Sequence, residues 1–237
     1  MKTTQDTSLV LKQLFDQETW THTYLLFDSA SGEGVIIDPV KEKLERDLKL
    51  IDELNVQLKY ILETHVHADH VTSAGDLRDR TGAKVVYGKH AGVACADMEM
   101  ADGDELSFGP FTVRALSTPG HTSACTSYLL ENMVFTGDAL FIRGTGRTDF
   151  QQGSSEALYD SINNKLFALP DDTIVYPGHD YKGMWSSTIG EEKRYNPRVG
   201  GGKSLSEFVE IMNNLNLANP RKIDIAVPAN LKCGQPA

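Results

Sequence analysis

The chain has 237 residues, a net charge of −10, and 40% apolar and 8% aromatic content. That balance excludes intrinsic disorder and a collagen-like repeat, and no uninterrupted apolar run reaches the roughly 18 residues of a membrane span. An acidic field repels nucleic acid and anionic membrane surfaces, so neither is expected as a partner.

The opening MKTTQDTSLV lacks the apolar core of a secretory signal, which gives a cytoplasmic expectation. With no linker or composition shift, a single domain over 1–237 is expected. The first strands predicted are Leu9-Val10-Leu11 with Leu14-Phe15, then Tyr24 to Phe27, then Val35 to Ile37 before Asp38-Pro39. Leu44, Leu48, Ile51 and Leu54 at helical spacing predict a helix from about Lys41 to about Asn55. A strand through Tyr60 to Leu62, a short helix from Ala74 to Arg80 stopped by Thr81-Gly82, and a strand through Val85 to Tyr87 follow.

Compact β-type runs then cover Phe111 to Leu116, Thr126 to Leu130, Met133 to Phe135 and Leu140 to Ile142. Leu158, Ile162, Leu166 and Leu169 share a face and predict a helix over Ser154 to Leu169, ended by Pro170. After a strand from Thr173 to Tyr176, the capping box Ser204-x-x-Glu207 opens a last helix, with a stop at Asn219-Pro220. Gly200-Gly201-Gly202-Lys203-Ser204 lacks the first glycine of a phosphate loop and is read as a turn. Cys95, Cys125 and Cys233 are odd in number and without CxxC spacing. They predict neither a disulfide nor a thiolate zinc site, and a reducing compartment fits.

Four apolar β runs end in a tight turn followed at once by a possible metal ligand: His65, His121, Asp138 and His179. Strand carboxyl ends are where loops of layered α/β folds converge on ligands. The first turn, Thr64-His65-Val66-His67-Ala68-Asp69-His70, concentrates imidazoles and a carboxylate as no structural role requires. Those are donors that zinc, iron and manganese accept at neutral pH. His22 and His90 stand apart from these turns and are read as ordinary core or surface residues.

The pattern T-H-x-H-x-D-H, then P-G-H-T, T-G-D and a late P-G-H resembles the metallo-β-lactamase fold superfamily. Within it, the run from Gly137 through Gly-Arg-Thr-Asp-Phe-Gln-Gln to Gly153, Tyr176 to Gly183, Asn196 to Arg198, and Ala226 to Asn230 resemble the persulfide dioxygenases, relatives of glyoxalase II. The resemblance implies an α/β fold of αββα type, two mixed β-sheets flanked by helices. It implies one Fe(II) per chain, held by His65, His121 and Asp138, with His67, Asp69, His70 and His179 around them as hydrogen-bonding supports. The implied reaction takes glutathione persulfide, O₂ and water to sulfite and glutathione. Tyr181 and Arg147 are the implied catalytic residues, and Arg143, Lys182 and Arg198 join them as candidates for binding the substrate carboxylates. Position 145 is threonine where some relatives carry cysteine, so no thiol chemistry carries over there. The resemblance leaves room for a homodimer and for a functional link to a separate rhodanese. The alternative is a glyoxalase II-like thioesterase acting on S-lactoylglutathione, with one zinc on His65, His67 and His121, a second on Asp69, His70 and His179, and Asp138 bridging.

Overall fold

The apolar runs of the sequence pair into two six-stranded sheets in a computed structural model that describes residues 8–218 and 220–235. Residues 1–7, part of the opening read for a secretory signal, and Asn219, half of the expected final stop, lie outside the described residues. The first sheet orders β1 (Leu9–Asp16), β2 (Thr21–Asp28), β3 (Glu33–Ile37), β4 (Gln57–Leu62), β5 (Lys84–Gly88) and β6 (Met98–Met100) as they follow in the chain. Its first three strands are antiparallel and the rest parallel. The second sheet runs β7 (Glu105–Phe108), β8 (Phe111–Ser117), β9 (Thr126–Leu130), β10 (Met133–Gly137), β11 (Ile174–Pro177) and β12 (Ser187–Thr188). There only β10 and β11 are parallel.

Strand periodicity explains why the helices sit outside. In β2, Tyr24 and Leu26 face the other sheet, where they meet Phe108, Val113, Tyr128 and Phe135. The alternate residues Leu25 and Phe27 face outward, onto Ile51 of α1 (Leu44–Glu53) and Leu77 of α2 (Ala74–Thr81). The outer face of the second sheet, with Val134 and Val175, is covered by Leu158 of α3 (Ser155–Ser161) and by Phe208 and Met212 of α5 (Leu205–Asn213). Three apolar layers therefore separate helix, sheet, sheet and helix. With both faces of each sheet buried, inner strands read as continuous apolar runs.

Several elements depart from expectation. The helix predicted over Ser154 to Leu169 keeps regular α geometry only to Ser161; Ile162–Leu166 forms a wider turn in which Phe167 N–H donates to Ile162 O at 2.7 Å. Leu140 to Ile142 is no strand but a turn closed by Phe141 and Gly144. Two helices were not legible: α4 (Ile189–Tyr195), with only Ile189 as an apolar anchor, and α6 (Ile223–Asn230), which carries Pro228 inside it. The capping box at Ser204 and Glu207 forms as predicted, but the helix it opens ends at Asn213, short of the expected stop at Asn219-Pro220, and α6 follows it.

The cysteine expectation is corrected in part. Cys95 and Cys233 form a disulfide across 138 residues, tying the end of the chain to the segment between β5 and β6. Nothing in the spacing of two cysteines so far apart reveals that their backbones meet. Cys125 is free and buried, as a small hydrophobe would be.

One glycine links the outer helix layer to the edge where the candidate ligands emerge. Gly120 sits at φ +140, and a Cβ there would lie 2.3 Å from the backbone N and Cα of Leu158 in α3. The turn carrying His121 is thus pressed directly onto a helix backbone that cannot yield. Gly120→Ala is expected to destabilise the protein by about 1–3 kcal/mol, read as a lower urea midpoint at unchanged slope; an unchanged midpoint would refute this contact.

Candidate metal centre

The four predicted turns meet at one edge of the sandwich, at the carboxyl ends of β4, β8, β10 and β11. Because β10 and β11 are parallel neighbours, Asp138 and His179 leave the sheet side by side; Gly178 N–H donates to Gly137 O at 2.8 Å. Their approach admits no side chain at Gly178, where a Cβ would lie 2.7 Å from Asp138 Oδ1.

Imidazole orientation is set by what each Nδ1 touches. His121 Nδ1 lies 2.7 Å from Arg147 O, and His179 Nδ1 lies 3.1 Å from Trp20 O. A carbonyl only accepts, so each Nδ1 carries a proton and each Nε2 is turned toward the edge. For His179, burial opposes a charge, but Asp138 and Asp69 beside Nε2 outweigh it and raise the imidazole above its ordinary range. For His65 the acceptor is Thr64 Oγ1 at 3.0 Å, whose own hydroxyl donates to Asp38 Oδ2 at 2.8 Å. Burial, followed by the neighbouring imidazoles His67 and His121, holds His65 well below the ordinary imidazole range, so it stays neutral.

His65, His121 and Asp138 bring ligand atoms within 4.8 Å of one another. His121 Nε2 is 3.5 Å from Asp138 Oδ2, and the His65 and His121 rings stand nearly perpendicular. Asp138 Oδ1 is buried without a hydrogen-bond partner, and His179 Nε2 is 3.6 Å away. Two imidazoles, a carboxylate and an orphaned buried oxygen fit a divalent cation.

His67 takes another direction. Its Nε2 points at Asp38 Oδ1 and Glu63 Oε2, both 3.1 Å away, while its Nδ1 has no partner. Burial opposes a charge there, but the two carboxylates outweigh it and raise His67 well above the ordinary imidazole range. Asp69 and His70 pair with each other at 2.9 Å, and Asp69 also lies 3.6 Å from His179 Nε2. Burial works against the Asp69 carboxylate, yet His70 and His179 hold it well below the usual range.

Asp38 and Glu63 were not singled out by sequence. Asp38 follows β3 in what reads as an ordinary Asp-Pro turn, and no local pattern marks either as a partner of His67. His22 and His90 behave as expected: His22 is buried beside Phe15, Tyr24 and Trp185, with its imidazole pushed down to about 4 by burial, and His90 is exposed.

The remaining candidates line a cavity of about 470 Å³ that opens onto His121, Asp138 and His179. That size is within the range of small-molecule sites. Tyr181 stacks on His179 with the rings 5.7 Å apart. Although the side chain is largely exposed, desolvation at the cavity, then Asp138 and Asp69, push the phenol up, so it remains a protonated donor. Arg143 is spent on Glu191 and Glu192, and Arg147 on Asp149 and the carbonyls of Leu217 and Ala218. Among the described residues, Lys182 and Arg198 line the cavity without a carboxylate in salt-bridge range; Arg198 is half-buried against Thr145 O.

Removing His67 leaves Asp38 and Glu63 facing each other in the interior without a cation. His67→Ala is expected to cost about 3–5 kcal/mol, measured by urea unfolding; a loss below about 1 kcal/mol would show that the buried trio is not charge-paired.

Residues 21–179 match the family described as the metallo-beta-lactamase superfamily. The chain is 49% identical to the mitochondrial persulfide dioxygenase ETHE1 of Homo sapiens and 48% identical to that of Mus musculus, in each case over 95% of this chain and 89% of the relative. It superposes on the crystal structure of ETHE1 from Myxococcus xanthus with a TM-score of 0.93 at 54% identity, covering 95% of this chain and all of that one. On this family match and these identities over nearly the whole chain, the chain belongs to the persulfide dioxygenase family of the metallo-β-lactamase superfamily.

Proposed function

We propose that this protein is an iron(II)-dependent persulfide dioxygenase that converts glutathione persulfide, O₂ and water to glutathione and sulfite. The balance is RSSH + O₂ + H₂O giving RSH, SO₃²⁻ and two protons. Membership of the family supports the reaction class. What supports a single cation is that His65, His121 and Asp138 close on one another while His67 Nε2 is engaged by Asp38 and Glu63; His67, Asp69 and His70 also bring ligand atoms within 4.8 Å of one another, and these are the residues a second metal would use. In this reading His65, His121 and Asp138 would hold one Fe(II) per chain, which would let O₂ accept electrons from the persulfide sulfur, the net four-electron reductant.

The chain's own residues would then divide the remaining work. Arg147 O and the Thr64 hydroxyl hold His121 and His65 with their Nε2 lone pairs converging. Tyr181, protonated and stacked on His179, offers a hydrogen bond at the cavity mouth. Lys182 and Arg198 are the cations free to take the substrate's carboxylates. Arg147 acts by shape, its guanidinium bridging Asp149 to the 217–218 segment that forms the far wall. Arg143 sits at the wall with its charge already matched, which moves it from substrate binding to structure.

The test is metal quantitation on anaerobically purified protein, with oxygen uptake measured on the same sample. About one iron per chain with oxygen consumed on glutathione persulfide is the expected result; two zincs with cleavage of S-lactoylglutathione would overturn it, with His67 Nδ1 then free to serve as a ligand. Asp138→Asn is expected to abolish both iron retention and turnover. Arg198→Ala is expected to raise KM for glutathione persulfide about 10–100-fold, a charged hydrogen bond being worth about 1.5–3 kcal/mol, with iron content and kcat near those of the parent; an unchanged KM would remove Arg198 from the binding site.

A further inference from the structure

The turn that carries His65 to His70 has almost no regular structure, so its backbone groups need partners from elsewhere. Thr126 N–H takes Thr64 O, the Gln151 side chain takes Val66 O, and Lys41 N–H takes Val71 O, each at 2.8 Å. The carbonyls of His67 and His70 both go to one group, the side-chain amide of Asn230, whose Nδ2 donates to each at 2.8 Å. The same amide accepts Thr72 N–H on Oδ1 at 2.9 Å. Asn230 is fully buried at the end of α6, some 160 residues along the chain from the turn it spans. Only a carboxamide provides two donors and an acceptor in that plane; aspartate cannot donate and leucine can do neither.

Asn230 is itself held. Three residues on, Cys233 is joined to Cys95, and its carbonyl accepts Gly75 N–H at 2.8 Å. Cys95 is in turn tied to α2, where Arg78 donates to its carbonyl at 2.9 Å. Lys41 Nζ donates to Gly234 O at 2.7 Å. The short helix, interrupted by Pro228 and with Ile225 exposed, has little apolar grip of its own.

We propose that Asn230 is a positioning residue of the metal centre, a template for the His65–His70 turn that the Cys95–Cys233 disulfide keeps in register. The inference rests on the reading of His65 as a metal ligand, but not on the substrate or the oxidative chemistry. Outer partners of metal ligands are worth about 10–100-fold in metal affinity, and Asn230 acts on the ligand backbone where others act on ligand side chains.

The experiment is anaerobic transfer of iron(II) from the loaded protein to an excess of chelator, with Asn230→Asp, Asn230→Ala and Cys95→Ser beside the parent. Both Asn230 variants are expected to lose iron at least tenfold faster, with kcat lowered and KM for the persulfide within twofold of the parent. Cys95→Ser is expected to lose iron faster than the parent and slower than Asn230→Ala. Iron loss at the parent's rate in the Asn230 variants, whatever happens to the melting temperature, would overturn the proposal. If neither Asn230 variant folds, Cys95→Ser decides, since it leaves the amide intact; a parental rate there overturns it too. A parent that holds zinc, or holds iron without oxidising persulfide, contradicts the proposed function and leaves this assay readable on whichever metal is bound.

Discussion

A single buried carboxylate organises the edge on which everything else depends. Asp38, at the end of β3, takes the Thr64 backbone N–H on Oδ1 and the Thr64 hydroxyl on Oδ2, and also faces His67 Nε2. Through Thr64 it fixes the proton on His65 Nδ1 and hence the direction of the His65 lone pair. Through His67 it gathers Glu63, a buried carboxyl whose other side-chain partner is the Thr72 hydroxyl. One residue outside the ligand motif thus sets the tautomer of a candidate ligand and withdraws the Nε2 of a neighbouring histidine from the centre.

The wall opposite is built by a similar economy of charge. In a chain of net charge −10, four cations lie around the cavity, and two of them are consumed in holding the wall together. Arg143 anchors the turn after Asp138 to α4, and Arg147 grips Asp149 while its own carbonyl orients His121. That leaves Lys182 and Arg198 as the cations of the cavity lining without a carboxylate in salt-bridge range among the described residues.

The sequence made the architecture legible where physics is local. Strands buried on both faces appear as unbroken apolar runs, and ligands placed immediately after such runs announce a converging edge before any coordinates exist. The helices α4 and α6 were hidden because neither shows a stripe of apolar residues, and a proline sits inside one of them. Asp38, Glu63, Asn230 and the Cys95–Cys233 pair were hidden for another reason: each acquires its role only from a partner that folding brings near. The arginines show the converse. Arg143 and Arg147 look like substrate cations in a glycine-rich loop, and only the placement of Glu191, Glu192 and Asp149 reveals that their charge is spoken for.

The central claim is one cation gripped by His65, His121 and Asp138, with His67 standing outside its coordination. Anomalous diffraction at the iron and zinc absorption edges, on crystals of anaerobically purified protein, tests it most directly. The account predicts one iron peak among those three side chains and none beside His70; a pair of zinc peaks flanking Asp138, one of them within bonding distance of His67 Nδ1, would contradict it.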